Sequence, residues 1–585
     1  MKHLQVFAAV IFFIQPLSAQ LFTKVMDGDL VNTASDSRSV NFVDVNGDGW
    51  EDVFISNGSN PGTVNLLYLN NGDGSFTPVP EDSIVSHEGS FDGATFADAD
   101  NDGDMDGFVV TWYGQKNKYY TNNGDGSFDY DTETELNSGF SYSETASWGD
   151  YDGDGFTDVY VSNSGGDKRN FLFRNLGNGH FEKIIPGVQS TDNKPSRSVN
   201  WVDFDQDGDM DLFVSNESEQ TNDMYINDGA GGFTKLSDDP LVEAISSSMS
   251  SSWGDVDNDL DLDVFIANSK YFEEQDNQLF INNGDGSFTE SDGGELTSDG
   301  GCSYGSNFAD YDNDGDLDLV VMNGYCGGAI ENFLYVNDGN GNFSRDLISI
   351  ADFSTPCSYG GAWGDIDNNG FPDLIIATCN DGSGGEDPEN MMFQNTGNGN
   401  NWLKIRLMGD VSNASCIGAS ILVKAVIDGN AVWQMREISA QSGYCGQNSL
   451  VAHFGLGDAG VCDSIMLLFP SGKDSVLLNV PVNQQIAVQE WSVVNMSDHI
   501  PPTVVLQAYP NPVTDKLIVE VPHFVEDGFR VCITDILHRQ VYKADFRGVN
   551  STLILDMNVI QLKAGYYTIT LTTEQGQGVL PFVMN

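Results

Sequence analysis

Basic residues are scarce in this chain of 585 residues: 25 Lys and Arg stand against 87 Asp and Glu, a formal net charge of −62. A field of that sign repels a phosphate backbone, which excludes nucleic acid as a partner. Histidine is scarcer still, with seven residues. His3 lies in the N-terminal segment, and His87 and His180 fall in no metal or acid–base pattern. Eight cysteines in a chain this long exclude a disulfide scaffold. Long apolar runs are confined to Leu4–Ile14, shorter than the roughly 20 residues that a spanning helix needs. No cysteine follows that run, which argues against a lipoprotein. Disorder is excluded by what is present, 11% aromatic and 40% hydrophobic residues.

The length predicts two to four domains. Residues 1–19 read as a signal peptide, with Lys2 and His3 before the apolar run and small residues near a cleavage point before Gln20. An exported chain meets an oxidising, calcium-rich medium.

A repeat dominates the rest. The pattern D-x-[DN]-x-[DN]-[GL]-x-x-D starts at Asp44, Asp98, Asp150, Asp203, Asp255, Asp310 and Asp365, seven starts at a nearly constant interval. A second element of the type NNGDGSF ends at Phe76, Phe128, Phe181, Phe233, Phe288 and Phe343, each the same distance ahead of the next starting Asp. Phe22 precedes Asp44 by that same distance. Short β-rich runs such as Asp52–Ile55 and Asp318–Val321 are bounded by Asn-Gly and Asp-Gly turns, and helical periodicity is absent. About fifty residues and four strands per unit is the scale of a propeller blade. The expectation is an all-β chain: a seven-bladed β-propeller over 20–400, a small β-rich domain over 401–497, a linker at 498–502 and a C-terminal β-sandwich over 503–585. The strand at Leu21–Val25 is expected to complete the last blade, since closure removes exposed edges.

Carboxylates at positions 1, 3, 5 and 9, with a carbonyl at 7, suit a hard cation that takes six to eight oxygens. The candidate ligands in repeat 1 are Asp44, Asn46, Asp48 and Asp52, and in repeat 2 Asp98, Asp100, Asp102, Asp104 and Asp106. Repeat 3 offers Asp150, Asp152, Asp154 and Asp158, and repeat 4 Asp203, Asp205, Asp207, Asp209 and Asp211. Repeat 5 offers Asp255, Asp257, Asp259, Asp261 and Asp263, with Leu260 where Gly is usual, so the pattern defines its loop geometry least. Repeat 6 offers Asp310, Asp312, Asp314, Asp316 and Asp318, and repeat 7 Asp365, Asp367, Asn369 and Asp373. Up to seven calcium ions are expected. The twelfth position, Ile55 in repeat 1, is never the Glu of an EF-hand. Magnesium, which keeps its waters, is the poorer fit. The NNGDGSF element lacks the carboxylate spacing and reads as a hairpin turn.

These motifs resemble the FG-GAP (VCBS-type) repeats of integrin-α-like propellers, whose inter-strand loops bind calcium, over about residues 21–400. Residues 401–495, with Ile417-Gly418-Ala419, Ser442-Gly443-Tyr444, His453-Phe454-Gly455-Leu456-Gly457 and Phe469-Pro470-Ser471-Gly472, resemble the ASPIC/UnbV domain of cartilage acidic protein-like chains. Phe469 stands where that family commonly has Trp. Tyr509-Pro510-Asn511-Pro512 and Gly565-Tyr566-Tyr567 resemble the sorting domain of Bacteroidetes type IX secretion cargo. That resemblance implies handling by the type IX machinery, passage across the outer membrane, and release or surface attachment.

Two motifs are decoys. Gly301-Cys302-Ser303-Tyr304-Gly305 fits a hydrolase elbow, but Cys357-Ser358-Tyr359-Gly360 repeats it at the same offset. Gly455–Gly460 fits G-x-G-x-x-G without a following helix. Disulfides are expected for Cys302–Cys326 and Cys357–Cys379, and, on weaker grounds, Cys416–Cys445, with Cys462 and Cys532 free. His453 and Arg436 read as structural. With no assembled catalytic group, the leading expectation is a secreted or cell-surface calcium-binding propeller that binds a glycan or protein ligand, with no transmembrane segment in the mature chain. The alternative is a secreted polysaccharide-degrading enzyme, lyase-like, on the same scaffold.

Overall fold

The computed structural model describes residues 20–490, except 59–61, 178, 186, 271–272, 327–329, 351–352, 356 and 381–384. Beyond 490 it describes 507–509, 516–520, 529–535, 540–546, 552–560, 562, 565–572 and 577–584. The expected signal segment, the linker and Pro510–Pro512 lie outside the described residues.

Seven four-stranded antiparallel sheets occupy the repeat region. Each opens with a seven-residue strand, such as Ser37–Val43 or Ser143–Gly149, followed by strands of six, five and three or four residues. In the last sheet the outer strand is Phe22–Lys24, paired antiparallel with Met391–Asn395. The opening strands adjoin one another in cyclic order, so Ser37–Val43 touches both Phe91–Ala97 and Ser358–Gly364. The sheets are thus set side by side around an axis as propeller blades are, with an opening strand of each lining the axis.

This packing explains the composition of the strands. Each sheet is covered on both faces by its neighbours, so Val53, Phe54 and Ile55 are all buried and the apolar run is continuous rather than alternating. Phe54, Val43 and Leu67 meet Phe96, Val109 and Tyr120 of the next sheet. Ser303 of the hydrolase-like decoy opens such a strand, Ser303–Ala309, and its hydroxyl donates to Asn323 Oδ1 at 3.1 Å.

Residues 401–489 form two further sheets. Four strands lie in the order Asn430–Glu437, Ser420–Ile427, Val461–Leu468, Asp474–Pro481; three lie in the order Ala452–Gly457, Asn401–Met408, Gln484–Gln489, the last pair parallel. The C-terminal strands form a three-stranded and a four-stranded sheet, the latter in the order Gln540–Phe546, Phe529–Asp535, Gly565–Thr572, Gln577–Met584.

Glu490 ties this second unit together. Its buried carboxylate accepts from the backbone N–H of Asp410, Val411 and Ser412 at 2.7, 2.7 and 3.0 Å, and from the Ser471 hydroxyl. Burial alone would raise its carboxyl, yet these donors hold it at about 2, below the ordinary 4.5. A depressed folded value stabilises fully above 4.5, and that stabilisation is lost as pH falls from 4.5 toward 2. Glu490→Gln is therefore expected to lower stability by about 1–3 kcal/mol at pH 7, and to shrink the difference from the native chain as pH falls through this window. Calorimetric melts at stepped pH check it.

Disulfides join Cys302 to Cys326 and Cys357 to Cys379. The expected Cys416–Cys445 bridge is not formed. Cys416 belongs to the core shared with Leu403, Ile417 and Phe454, whereas Cys445 packs with Tyr304, Tyr359 and Tyr444 at the ring axis, so the two thiols sit in different cores.

Candidate metal centres and the capped ring face

The D-x-D loops join the first strand of each sheet to the second, so all seven lie at one end of the ring. In every loop the position-1 carboxylate accepts from two backbone amides. Asp98 takes the N–H of Asp102 at 3.0 Å on Oδ1 and that of Gly103 at 2.9 Å on Oδ2. The same pair recurs at Asp44, Asp150, Asp203, Asp255, Asp310 and Asp365. Leu260 keeps the geometry of its loop. It adopts φ 77° and still donates to Asp255 at 3.3 Å. Position 4 also demands positive φ, met by Gly47 and Gly153 or by Asn101, Gln206, Asn258, Asn313 and Asn368.

One oxygen of each position-9 Asp is spent on the fold. Asp106 Oδ1 accepts from the Asn122 N–H at 2.9 Å, and Asp52, Asp158, Asp211, Asp263, Asp318 and Asp373 do likewise with Asn70, Asn175, Asn227, Asn282, Asn337 and Asn395. The second oxygen takes the position-2 amide in five loops. Asp211 Oδ2 and Asp318 Oδ2 are buried without a partner. Asp100, Asp104, Asp152 and Asp257 each carry a buried, partnerless Oδ1 as well.

Carboxylate oxygens converge in the loops. Asp98, Asp100 and Asp102 bring one oxygen each within 4.8 Å of one another, as do Asp150, Asp152 and Asp158, Asp203, Asp205 and Asp211, Asp255, Asp257 and Asp259, and Asp310, Asp312 and Asp318. Burial first, then mutual repulsion, raises several carboxyls of these loops: Asp104 to about 7, Asp106 and Asp314 to about 8, Asp211 and Asp263 to about 9. Such a cluster of orphaned anionic oxygens fits a hard divalent cation, whose chemistry would be charge neutralisation and loop bracing.

The loops are not equivalent. In loop 7 Lys404 Nζ lies 2.8 Å from Asp365 Oδ2 and donates to Asn368 at 2.6 Å, while Asn369 Oδ1 already accepts from Phe371 at 2.8 Å. In loop 1 Arg406 lies 3.5 Å from Asp44, and in loop 3 Arg174 lies 2.6 Å from Asp152 and 3.0 Å from Asp154. At position 7, Asp261 and Asp316 accept from the position-4 amides Gln206 and Asn258 of the preceding loop, at 3.1 and 2.7 Å.

The first Asn of each NNGDGSF-type element does more than turn the chain. Asn122 Nδ2 donates to Met105 O of its own loop at 3.1 Å and to Val45 O of the preceding blade at 2.9 Å. Asn175, Asn227, Asn282, Asn337, Asn395 and Asn70 bridge in the same way. Its recurrence in every repeat was the available signal.

The second unit covers this end of the ring. Gly455 N donates to Asp310 Oδ2 at 3.0 Å, Asp98 N to Ser415 Oγ at 2.9 Å and Asp203 N to Glu437 Oε2 at 3.1 Å. His453 Nε2 meets Gly370 O at 3.1 Å, and burial pushes its imidazole down to about 3. Residues 440–449 run into the axis. Gln447 exchanges backbone bonds with Val40 and Phe42, and its side chain pairs with Phe96 N and O at 2.7 and 3.0 Å. Tyr444 reaches the far end of the axis, where its hydroxyl donates to Glu144 at 2.7 Å. Arg38, Asp92, Glu144, Arg197, Met249, Tyr304 and Tyr359, one from each opening strand, form a layer there. Beside it, on the face opposite residues 401–490, Trp112 meets Tyr113 and Tyr142 edge-on with ring centroids 4.4 and 5.1 Å apart.

Three family models match this chain: an FG-GAP-like repeat at 44–109, 106–161, 150–214, 203–266 and 255–321, ASPIC and UnbV at 409–494, and a secretion system C-terminal sorting domain at 507–585. The chain therefore carries FG-GAP repeats, an ASPIC/UnbV domain and a type IX sorting domain. That last domain marks it for secretion across the outer membrane, to the cell surface or the extracellular space. No helix among the described residues is long and apolar enough to cross a membrane. Cartilage acidic protein 1 of Mus musculus is 29% identical over 201 residues, which cover 33% of this chain and 30% of the relative. The Homo sapiens protein is 27% identical over the same length and shares. The chain thus spans under a third of these relatives. A solved structure of an Agrocybe aegerita lectin, described for recognition of non-reducing terminal N-acetylglucosamine, aligns with a TM-score of 0.39 at 18% identity, over 62% of this chain and 86% of that one.

Proposed function

We propose that this secreted chain is a calcium-loaded seven-bladed propeller over 20–400 that binds a glycan on the ring face opposite its metal loops. In this reading positions 1, 3 and 5, the position-9 oxygen that the following Asn amide leaves, and the carbonyl at 7 hold each ion. Residues 401–497 are a fixed cap, and 503–585 a β-sandwich that is removed after export. The observation that carries the reading is the aromatic cluster on the face opposite residues 401–490. Tyr113 is 49% exposed and Phe140 74% exposed. Trp112, which meets Tyr113 and Tyr142, donates from Nε1 to Glu144 Oε1 at 2.7 Å, so flat apolar surface adjoins fixed polar groups. Exposed aromatic surface of this kind is a binding feature, and the apolar face and hydroxyls of a sugar ring complement both parts.

A panel of immobilised polysaccharides, assayed for binding and for product release, tests it. Tyr113→Ala with Phe140→Ala is expected to weaken binding about tenfold or more, roughly the worth of one lost ring contact, with the melting temperature unchanged. Binding unaffected by both changes, or absent across the panel, overturns the site. Release of unsaturated oligosaccharides favours the lyase-like alternative.

A further inference from the structure

Cations are scarce in this chain, yet several gather around the aromatic cluster opposite the metal loops. No Lys or Arg lies between Arg38 and Lys116. Lys116, Lys118, Lys168, Arg169 and Lys183 then follow within two adjacent blades. Lys116 lies on, and Lys118 ends, the connection from Asp106–Thr111 to Lys118–Asn122. Lys168 and Arg169 lie on the connection from Asp158–Asn163 to Phe171–Asn175, and Lys183 ends the outer strand Phe181–Lys183. Each connection follows the second strand of its blade, while the metal loop precedes it, so both lie at the opposite end of the ring. They meet at Tyr142: a Cβ at Gly165 would stand 2.9 Å from that side chain and one at Gly114 3.7 Å from it. Lys116 Nζ lies 6.0 Å from the centre of the Phe140 ring, Lys118 Nζ 5.2 Å from that of Tyr130 and Lys183 Nζ 3.1 Å from that of Phe171. A ring face positions a cation without cancelling its charge. Asp167 pairs with Arg169, whose side chain is still 57% exposed. Lys116, Lys118, Lys168 and Lys183 make no ion pair within 4.0 Å among the described residues. Burial first, then the charge of Lys116, holds Lys118 below its ordinary 10.5. Burial brings Lys183 down to about 8, with Glu135 opposing and Arg169 adding to the fall.

A ligand that brings anions between apolar faces complements such a patch. Resting on the glycan reading of this face, we propose that the glycan is acidic: its carboxylate or sulfate groups meet Lys116, Lys168 and Arg169 while Tyr113 and Phe140 take its sugar faces. The net charge of −62 opposes a polyanion at long range, but at physiological salt that field is screened beyond about 8 Å, whereas contacts within the patch are not. Duplex DNA carries one charge per about 1.7 Å. An oligosaccharide with one anion per sugar meets less of the same repulsion.

The test uses the full calcium-loaded chain. Tetragalacturonate and its carboxyl-reduced counterpart, a sulfated galactan tetrasaccharide and its desulfated counterpart, and a single-stranded DNA tetranucleotide are titrated by calorimetry. At least one charged glycan is expected to bind about tenfold or more tightly than its neutral counterpart, and the two pairs tell carboxylate from sulfate. Lys116→Gln with Lys168→Gln is expected to weaken that binding about fivefold at an unchanged melting temperature. Lys270→Gln, on the same end of the ring but in another blade, is expected to leave it unchanged. Equal affinity for charged and neutral glycans, still weakened by Tyr113→Ala with Phe140→Ala, overturns the acidic class and leaves the glycan site standing. Binding of no glycan at all overturns the glycan site and this proposal with it. DNA bound as tightly as the charged glycans, or an affinity that ignores the double lysine variant, also overturns the proposal.

Discussion

Chelation with EDTA is expected to lower the melting temperature of the full chain by about 10 °C or more, and calcium, added back in excess, to restore it. A ligand bound only to the folded state adds about 2.7 kcal/mol per site at a hundredfold excess over its Kd. Four filled loops would therefore contribute on the order of 10 kcal/mol, and for a domain of this size each kcal/mol moves the midpoint by about 1–2 °C or slightly more. Loops 2, 4, 5 and 6 carry four Asp at positions 1, 3, 5 and 9 and a fifth at position 7. Loops 1, 3 and 7 already meet Arg406, Arg174 and Lys404. Elemental analysis is thus expected to find at least four calcium ions per chain. Asp205→Ala, which removes one arm of a converging trio with Asp203 and Asp211, should lower the melting temperature in calcium but hardly change it in EDTA. Equal melts with and without chelator would sink the calcium assignment.

Much of this architecture was legible because it is repeated. A near-constant period, with the same turn and the same Asp positions, exposed the unit and its strands, and the offset of Phe22 pointed to the strand beside Met391–Asn395. What stayed hidden follows from contacts between units rather than within one. The position-9 Asp reads as a ligand by its spacing, but one of its oxygens braces the Asn of the next turn. The position-4 residues carry a conformational demand that Asn meets as well as Gly, so no single letter marks it. The course of residues 440–449 into the ring axis left no trace in periodicity, since Gln447 and Tyr444 bind partners far earlier in the chain, Phe96 and Glu144. The Cys416–Cys445 expectation failed for the same reason, because proximity in the chain said nothing about which core each thiol enters.

Arg197→Met is expected to cost about 3–5 kcal/mol, because it strips the counter-ion from a carboxylate that cannot reach water. Arg197 lies 2.7 Å from both Glu144 Oε2 and Glu217 Oε2, and its side chain is 7% exposed, against 0% for Glu144. Burial alone would raise Glu144, but Arg197, then Asp92, Ser164 and Tyr444, hold it below the ordinary 4.5. Asp92 beside it is pushed well up, by burial first and by the Glu144 charge next. The folded native chain therefore keeps Glu144 ionised, and that contribution is present above 4.5 and lost as pH falls below it. Without the guanidinium the sign reverses: Glu144 is then raised by burial, the folded state holds its proton, and stability falls as pH rises through 4.5. The gap between native and variant melting temperatures is accordingly expected to widen from pH 4 to pH 7. Glu144→Gln added to Arg197→Met should recover part of the loss, since the amide removes one of the two buried carboxylates that Arg197 neutralises, Glu217 being the other. The same pair anchors Tyr444, whose hydroxyl sits 3.1 Å from Arg197 and 2.7 Å from Glu144. Losing the pair therefore also loosens the tip of the cap. Hydrogen exchange at residues 440–449 should rise in Arg197→Met and fall back in the double variant; a loss below about 1 kcal/mol, with no change in that exchange, would show that the axis does not hold the cap.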